Sequence, residues 1–123
     1  MESNDDIVRR FCGAFQRMDA DELIEFFSED ATYHNIPLPL LRGRDEIYNN
    51  LKGLRKRFTA LRIEIIHQIS DGGIVMNERV DYFTRGDSTI ALPIAGVFKL
   101  NDDKIQEWRE YFDLATFTGA PKF

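Results

Sequence analysis

Residues 74–84, IVMNERVDYFT, alternate in the manner of an extended strand. Successive side chains of a strand point to opposite faces. One face therefore carries Val75, Asn77, Arg79, Asp81 and Phe83, and the other Ile74, Met76, Glu78, Val80 and Tyr82. A guanidinium and a carboxylate share a face beside an aromatic ring. That pattern fits two readings: a surface ion pair worth under about 1 kcal/mol, or the polar lining of a cavity.

The period of two extends in both directions. Upstream, Leu61, Ile63 and Ile65 alternate with Arg62, Glu64 and Ile66, and Asp71-Gly72-Gly73 supplies a turn. Downstream, Arg85-Gly86-Asp87 turns into a strand from Thr89 to Leu100, and Asn101-Asp102-Asp103 turns into a last strand from Ile105 to Asp113. In that last strand Trp108, Glu110 and Phe112 share a face opposite Arg109, Tyr111 and Asp113. A carboxylate between two large aromatics is unusual on a solvent face, although a sheet-edge position would also permit it. If the two faces line one cavity, Asp81, Arg79 and Glu110 converge with the arginine between the acids.

The N-terminal half follows the helical period. Ile7, Val8, Phe11, Phe15 and Met18 recur at three- and four-residue steps. Asp19 with Glu22 has the form of a capping box opening a second helix that buries Leu23, Phe26 and Phe27. Pro37 and Pro39 bar a helix through NIPLPLL. A third helix is expected from about Asp45, with Ile47, Leu51, Leu54 and Phe58 on one side and Lys52, Arg55, Lys56 and Arg57 as a solvated face. Helices followed by a meander, without repeats or linkers, predict one α+β domain over residues 1–123: three N-terminal helices packed on a curved, mostly antiparallel sheet. Such a sheet wrapped round helices leaves a conical cavity. The aromatic content, 12% of the chain, suits that cavity.

Composition excludes several functions. With 16 basic against 21 acidic residues the formal charge is -5, so no broad nucleic-acid or anionic-membrane surface is expected. No apolar run approaches the roughly 18 residues of a membrane span, and the opening MESNDDIVRR is too polar for a secretory signal, so a cytoplasmic location is expected. Cys12 is the one cysteine, which precludes an internal disulfide, and it reads as inert packing. His34 and His67 lie far apart, so no metal site is expected. Asp113 reads as a strand-end or cap residue. Tyr33 and Asn35 share parity where the chain first extends; they either present a hydroxyl and an amide to one place or form a turn.

YHNIPLP, GRDEI, ERVD, GVFKL and KIQEWREYFDL together resemble the limonene-1,2-epoxide hydrolase family, within the nuclear transport factor 2-like (SnoaL-like) superfamily. The resemblance spans about Ile7 to Phe117; the family's longer N-terminal extension is absent, and the loop around Arg85-Gly86-Asp87 looks shorter. It implies the cone-shaped fold of that superfamily and a cofactor-free, metal-free hydrolysis of a lipophilic epoxide to a vicinal diol in one step. By position, Asp81 resembles the acid that protonates the epoxide oxygen, and Arg79 the bridge between the carboxylates. Tyr33 and Asn35 resemble the pair that holds the attacking water with the base. The base position falls on Glu110, where the family pattern has Asp. Glutamate carries its carboxylate about 1.5 Å further out. Phe15, Leu54, Phe58, Phe83, Leu92, Ile94, Trp108, Phe112 and Phe117 resemble the pocket's apolar lining. Two other functions fit the same scaffold. One is an isomerase or cyclase in which Glu110 or Asp81 removes a carbon-bound proton and Tyr33 stabilises an enolate. The other is a non-catalytic ligand-binding dimer module. The superfamily's sheet usually pairs two subunits, which would place Arg109 and Tyr111 in a homodimer interface.

Overall fold

The structure, a computed structural model, describes residues 2–118; the rest of the single domain expected over 1–123 lies outside the described residues. Helix α1 (Asn4–Phe15) opens where the Ser3 hydroxyl accepts the Asp6 amide at 3.0 Å. Its buried stripe is Ile7, Val8, Phe11, Cys12, Ala14 and Phe15. Helix α2 (Ala20–Ile24) is capped by Asp19, whose carboxylate accepts from the Asp21 amide at 3.0 Å. The expected capping box is only half present, because Glu22 pairs instead with Arg17 at 2.7 Å. Phe26 and Phe27 are buried as expected but lie beyond that helix; Phe27 opens strand β1 (Phe27–Ile36).

A short strand β2 (Leu41–Arg42) leads into α3 (Gly43–Lys52) and α4 (Leu54–Arg57). The single third helix expected from the spacing is thus two. Gly53 interrupts it, and its carbonyl accepts from the amides of Lys56 and Arg57 to start the second piece. Strands β3 (Ala60–Asp71), β4 (Ile74–Arg85), β5 (Ser88–Asn101) and β6 (Lys104–Phe112) follow, then α5 (Leu114–Thr118). The strand order is β2-β1-β6-β5-β4-β3. All neighbours are antiparallel except β1 and β6, which run parallel with Tyr33 opposite Trp108 and Asn35 opposite Glu110.

Within β3 the register against β4 slips at Ile66. Ile65 pairs with Arg79, but His67 pairs with Glu78 and Gln68 with Asn77. The extra residue inverts the parity of the rest of the strand. Helix α1 packs on β3 and β4, α3 on β1 and β2, and α5 on β5. The core between helices and sheet is a ring cluster centred on Phe11, which meets Phe15, Phe26, Phe27, Phe98 and Trp108 with centroids 5.0–6.0 Å apart, all edge-to-face. Truncating this hub removes five ring contacts at once. Phe11→Ala is expected to cost about 3–5 kcal/mol in chemical unfolding, and a loss below about 1 kcal/mol would show that the core refills the space.

Candidate active site

Strand alternation places Asn77, Arg79 and Asp81 on the inner face of β4, and Trp108, Glu110 and Phe112 on that of β6, with β5 between. At the crossing point β5 contributes Gly96, which stands opposite Asn77 on one side and Glu110 on the other. Arg79 reaches across it. Its Nε and Nη2 donate to the two Asp81 oxygens at 3.1 and 3.0 Å, and its Nη2 and Nη1 donate to the two Glu110 oxygens at 2.5 and 3.1 Å. Both carboxylates are therefore held two-pronged by one planar cation, a geometry lysine cannot supply. Arg79, Asp81 and Glu110 are 1%, 3% and 3% exposed, which rules out the surface ion-pair reading.

Glycine at 96 is required by this crossing. A Cβ there would lie 2.6 Å from Arg79 Nη1, 2.6 Å from Glu110 Oε2 and 3.0 Å from Asn77 Oδ1. The longer reach of glutamate at 110 is spent above that bare backbone, where its carboxylate meets the guanidinium.

Tyr33 and Asn35 lie on β1, and the two side chains hydrogen-bond each other, with Asn35 Nδ2 2.9 Å from the Tyr33 hydroxyl. The parallel register with β6 sets Asn35 beside Glu110. Tyr33 is fixed from behind by a stack of three rings: its ring lies 4.1 Å from Trp108 at 7°, and Trp108 lies 5.6 Å from Phe98 at 15°. This corrects the expectation for Trp108, which does not line the cavity; it is 3% exposed and sits in the core as the middle ring of the stack. Its indole N–H favours the Glu110 carboxylate electrostatically but has no partner in hydrogen-bond geometry among the described residues.

A cavity of about 140 Å³ opens above the acids. Tyr33, Asn35, Asp81 and Glu110 form its polar floor. Phe15, Leu54, Phe58, Phe83, Leu92, Ile94, Phe112 and Phe117 line it as expected, and Phe58, Phe83 and Phe117 meet with centroids 4.9–5.9 Å apart. Leu38, Asn50, Arg57 and Leu114 also line it, though the sequence reading did not single them out for the cavity. Helix and strand periods assign faces but do not say which faces meet around a hollow. Arg79 is absent from the lining and acts from beneath the floor.

Burial is the leading influence on the site's proton affinities. It raises Glu110 above its ordinary value of 4.5, against the opposing pull of Arg79. It raises the Tyr33 hydroxyl, with the Glu110 charge adding to the effect, so Tyr33 stays a neutral donor. Cys12, behind Asn77, is pushed up to about 12 by burial, which leaves the thiol unreactive. Among the described residues no group of three histidine, cysteine or acidic side chains is placed to hold a metal. Asp113 caps α5, its carboxylate accepting from the Ala115 amide at 3.0 Å.

Two outcomes follow from this geometry. Gly96→Ala is expected to lose about 1–3 kcal/mol by overpacking, whereas Gly13→Ala, whose added methyl meets nothing within 4 Å in α1, should gain about 0.5–1 kcal/mol; equal effects in thermal unfolding would contradict the crossing. The second concerns pH. A carboxyl raised in the folded state favours folding fully below its unfolded value of 4.5 and loses that contribution as pH rises through the folded value. Glutamine does not titrate. Melting temperatures of Glu110→Gln should therefore gain on the parent as pH climbs from about 4 to 7; the reverse trend would mean that pairing with Arg79 outweighs burial.

The chain matches the model of the limonene-1,2-epoxide hydrolase catalytic domain over residues 2–121. It is 31% identical over 109 residues to the epoxide hydrolase EphG of Mycobacterium tuberculosis, covering 87% of this chain and 71% of that protein. Among solved structures, a limonene-epoxide-hydrolase-like epoxide hydrolase of M. tuberculosis superposes with a TM-score of 0.84 at 28% identity, over 94% of this chain and 87% of the other. A SnoaL-like protein of Shewanella putrefaciens superposes with a TM-score of 0.85 at 18% identity, over 97% of this chain and 85% of the other, a likeness of fold alone. The α+β architecture is thus the nuclear transport factor 2-like one. Two buried acids joined by one arginine are the setting in which this sequence likeness falls, and the chain belongs to the limonene-1,2-epoxide hydrolase family.

Proposed function

We propose that the protein hydrolyses a lipophilic epoxide to a vicinal diol by one-step general acid–base catalysis, without a covalent intermediate. The observation that carries this reading is the pair of carboxyls, 3% exposed each, bridged by Arg79 at the floor of an apolar cavity. Opening an epoxide needs a proton delivered to its oxygen while water attacks carbon from the opposite side. Asp81 supplies that proton as the C–O bond breaks. Glu110 takes one from the water as the new C–O bond forms, with the water held by Tyr33, Asn35 and Glu110. Afterwards the dyad holds its single proton on Glu110, and its return to Asp81 past the shared guanidinium resets the site. Two carboxyls this close in a dry pocket favour one shared proton over two charges. Burial strengthens Glu110 as a base beyond an ordinary carboxylate.

The apolar walls match a hydrocarbon substrate. A volume near 140 Å³ holds a group of about benzene size, so a bulkier molecule extends through the mouth past Leu38, Asn50 and Arg57. The outer sheet face, where Met76 and Tyr111 are exposed and Arg109 is half-buried, is our candidate for a homodimer contact.

Cyclic and aryl epoxides incubated in oxygen-18 water are expected to give singly labelled diols, with at least about a hundredfold loss for Asp81→Asn and for Glu110→Gln. No diol from any of them, with deuterium exchange into a ketone ligand instead, would assign the site to isomerase-type chemistry.

A further inference from the structure

A guanidinium has five N–H donors, and the two acids take only four of Arg79's. The fifth, on Nη1, goes to Asn77 Oδ1 at 2.9 Å. Asn77 is 4% exposed, and the chain continues from it toward the surface. Its Nδ2 donates to Gln68 Oε1 at 3.0 Å and approaches Cys12 Sγ at 4.0 Å. Gln68 Nε2 in turn donates to the Asp5 carbonyl at 3.1 Å and to the Asp5 carboxylate at 2.8 Å. A continuous chain thus runs from the first turn of α1 to the underside of the site, through residues that do not line the cavity.

The direction of this chain is determined at both ends. Arg79 offers only donors and Asp5 only acceptors, so each amide between them has one permitted orientation. Its presence depends on the bulge at Ile66. Unbroken alternation from Leu61, Ile63 and Ile65 would turn His67 inward; the extra residue turns Gln68 inward instead and leaves His67 outside, 2.9 Å from Glu78. An amide thereby occupies the place that an ionisable imidazole would have taken.

Resting on the hydrolase reading above, we propose that Gln68 and Asn77 are positioning residues, which hold Arg79 between the two acids and cap its last donor without adding charge, so that the site keeps two carboxyls and one proton. An acid at either position would set a third negative charge against one guanidinium and call for a second proton. The other titratable groups facing the cluster, Cys12 on α1 and Tyr33 on β1, are kept neutral by burial, and β5 presents only Gly96 there.

Glutamine and glutamate, or aspartate and asparagine, are near-equal in size, so substitutions can test the direction of the hydrogen bonds apart from packing. Gln68→Glu is expected to lower kcat about tenfold with KM changed less than about twofold, and to raise the midpoint at which the buried carboxyls titrate by carbon-13 NMR in the substrate-free protein. Adding Asp5→Asn supplies an amide donor to the new glutamate and restores the charge count; most of kcat and of the original midpoint should return. A double variant no better than Gln68→Glu, or single variants that leave both readouts unmoved, would overturn the proposal. Should Gln68→Glu not fold, Asp5→Ala releases the outer end without burying a charge and should still lower kcat about two- to threefold; unchanged kcat and titration there would equally overturn it. The NMR titration needs no substrate, so a parent protein that turns over no epoxide would refute the hydrolase reading and leave the network test standing.

Discussion

The fold is organised around a buried guanidinium. Moving one charged side chain out of water costs several kcal/mol, and a buried ion stripped of one partner costs about 3–5 kcal/mol more. Arg79 is 1% exposed, and all five of its donors have acceptors. That demand reaches outward. It needs acids on two strands separated by a third, a glycine on the strand between, and a neutral acceptor to close the last position. Strands lie about 4.8 Å apart, so β4 and β6 are about 10 Å apart, a gap that one long side chain from each can close only over a bare backbone. Gly96 is therefore part of the site, although it has no side chain to contribute.

Much of this was legible in one strand. Period-two alternation in IVMNERVDYFT placed Asn77, Arg79 and Asp81 together, and the same rule placed Glu110 with Trp108 and Phe112. The rule is local, and it failed where the determinant was not. The bulge at Ile66 leaves no mark in composition, so Gln68 was unreadable as an inward residue. The parallel pairing of β1 with β6 joins segments some 75 residues apart, and nothing in either segment reports that contact, so Tyr33 and Asn35 remained between a site and a turn. Gly53 costs a helix interior only about 1 kcal/mol, and the apolar spacing runs on through it, which is why α3 and α4 read as a single element. Trp108 has the inner face that alternation predicts but not the lining role that the resemblance implies, and alternation alone tells inside from outside but not core from hollow.

The aromatic surplus takes three forms. Around Phe11 the rings are edge-to-face and fill the space between helix and sheet. Behind the site, Tyr33, Trp108 and Phe98 are stacked nearly parallel, which fixes the plane of the tyrosine and so the direction of its hydroxyl. A third group, Phe58, Phe83 and Phe117, encloses the cavity. The first group supplies packing energy that offsets the cost of the buried charges, and the second converts packing into orientation. The third gives the hollow its apolar walls, which lower the local dielectric and strengthen the charge interactions at its floor.

Charge balance fits this buried site to the proposed epoxide hydrolysis. In the proposed resting state two carboxyls, one proton and one guanidinium sum to zero. In the proposed reaction a proton leaves one carboxyl for the epoxide oxygen while another arrives at the second from water, so the sum stays zero through the step. The substrate and the diol are also uncharged at the reacting centre. A low-dielectric pocket penalises the creation of net charge, and here none is created; charge moves a short distance along a bridge whose dipoles are already in place. A single-base mechanism that develops an enolate in the same hollow would have to stabilise a charge separated from its counterion, and the only buried cation among the described residues, Arg79, faces the acids from beneath the floor and does not line the cavity.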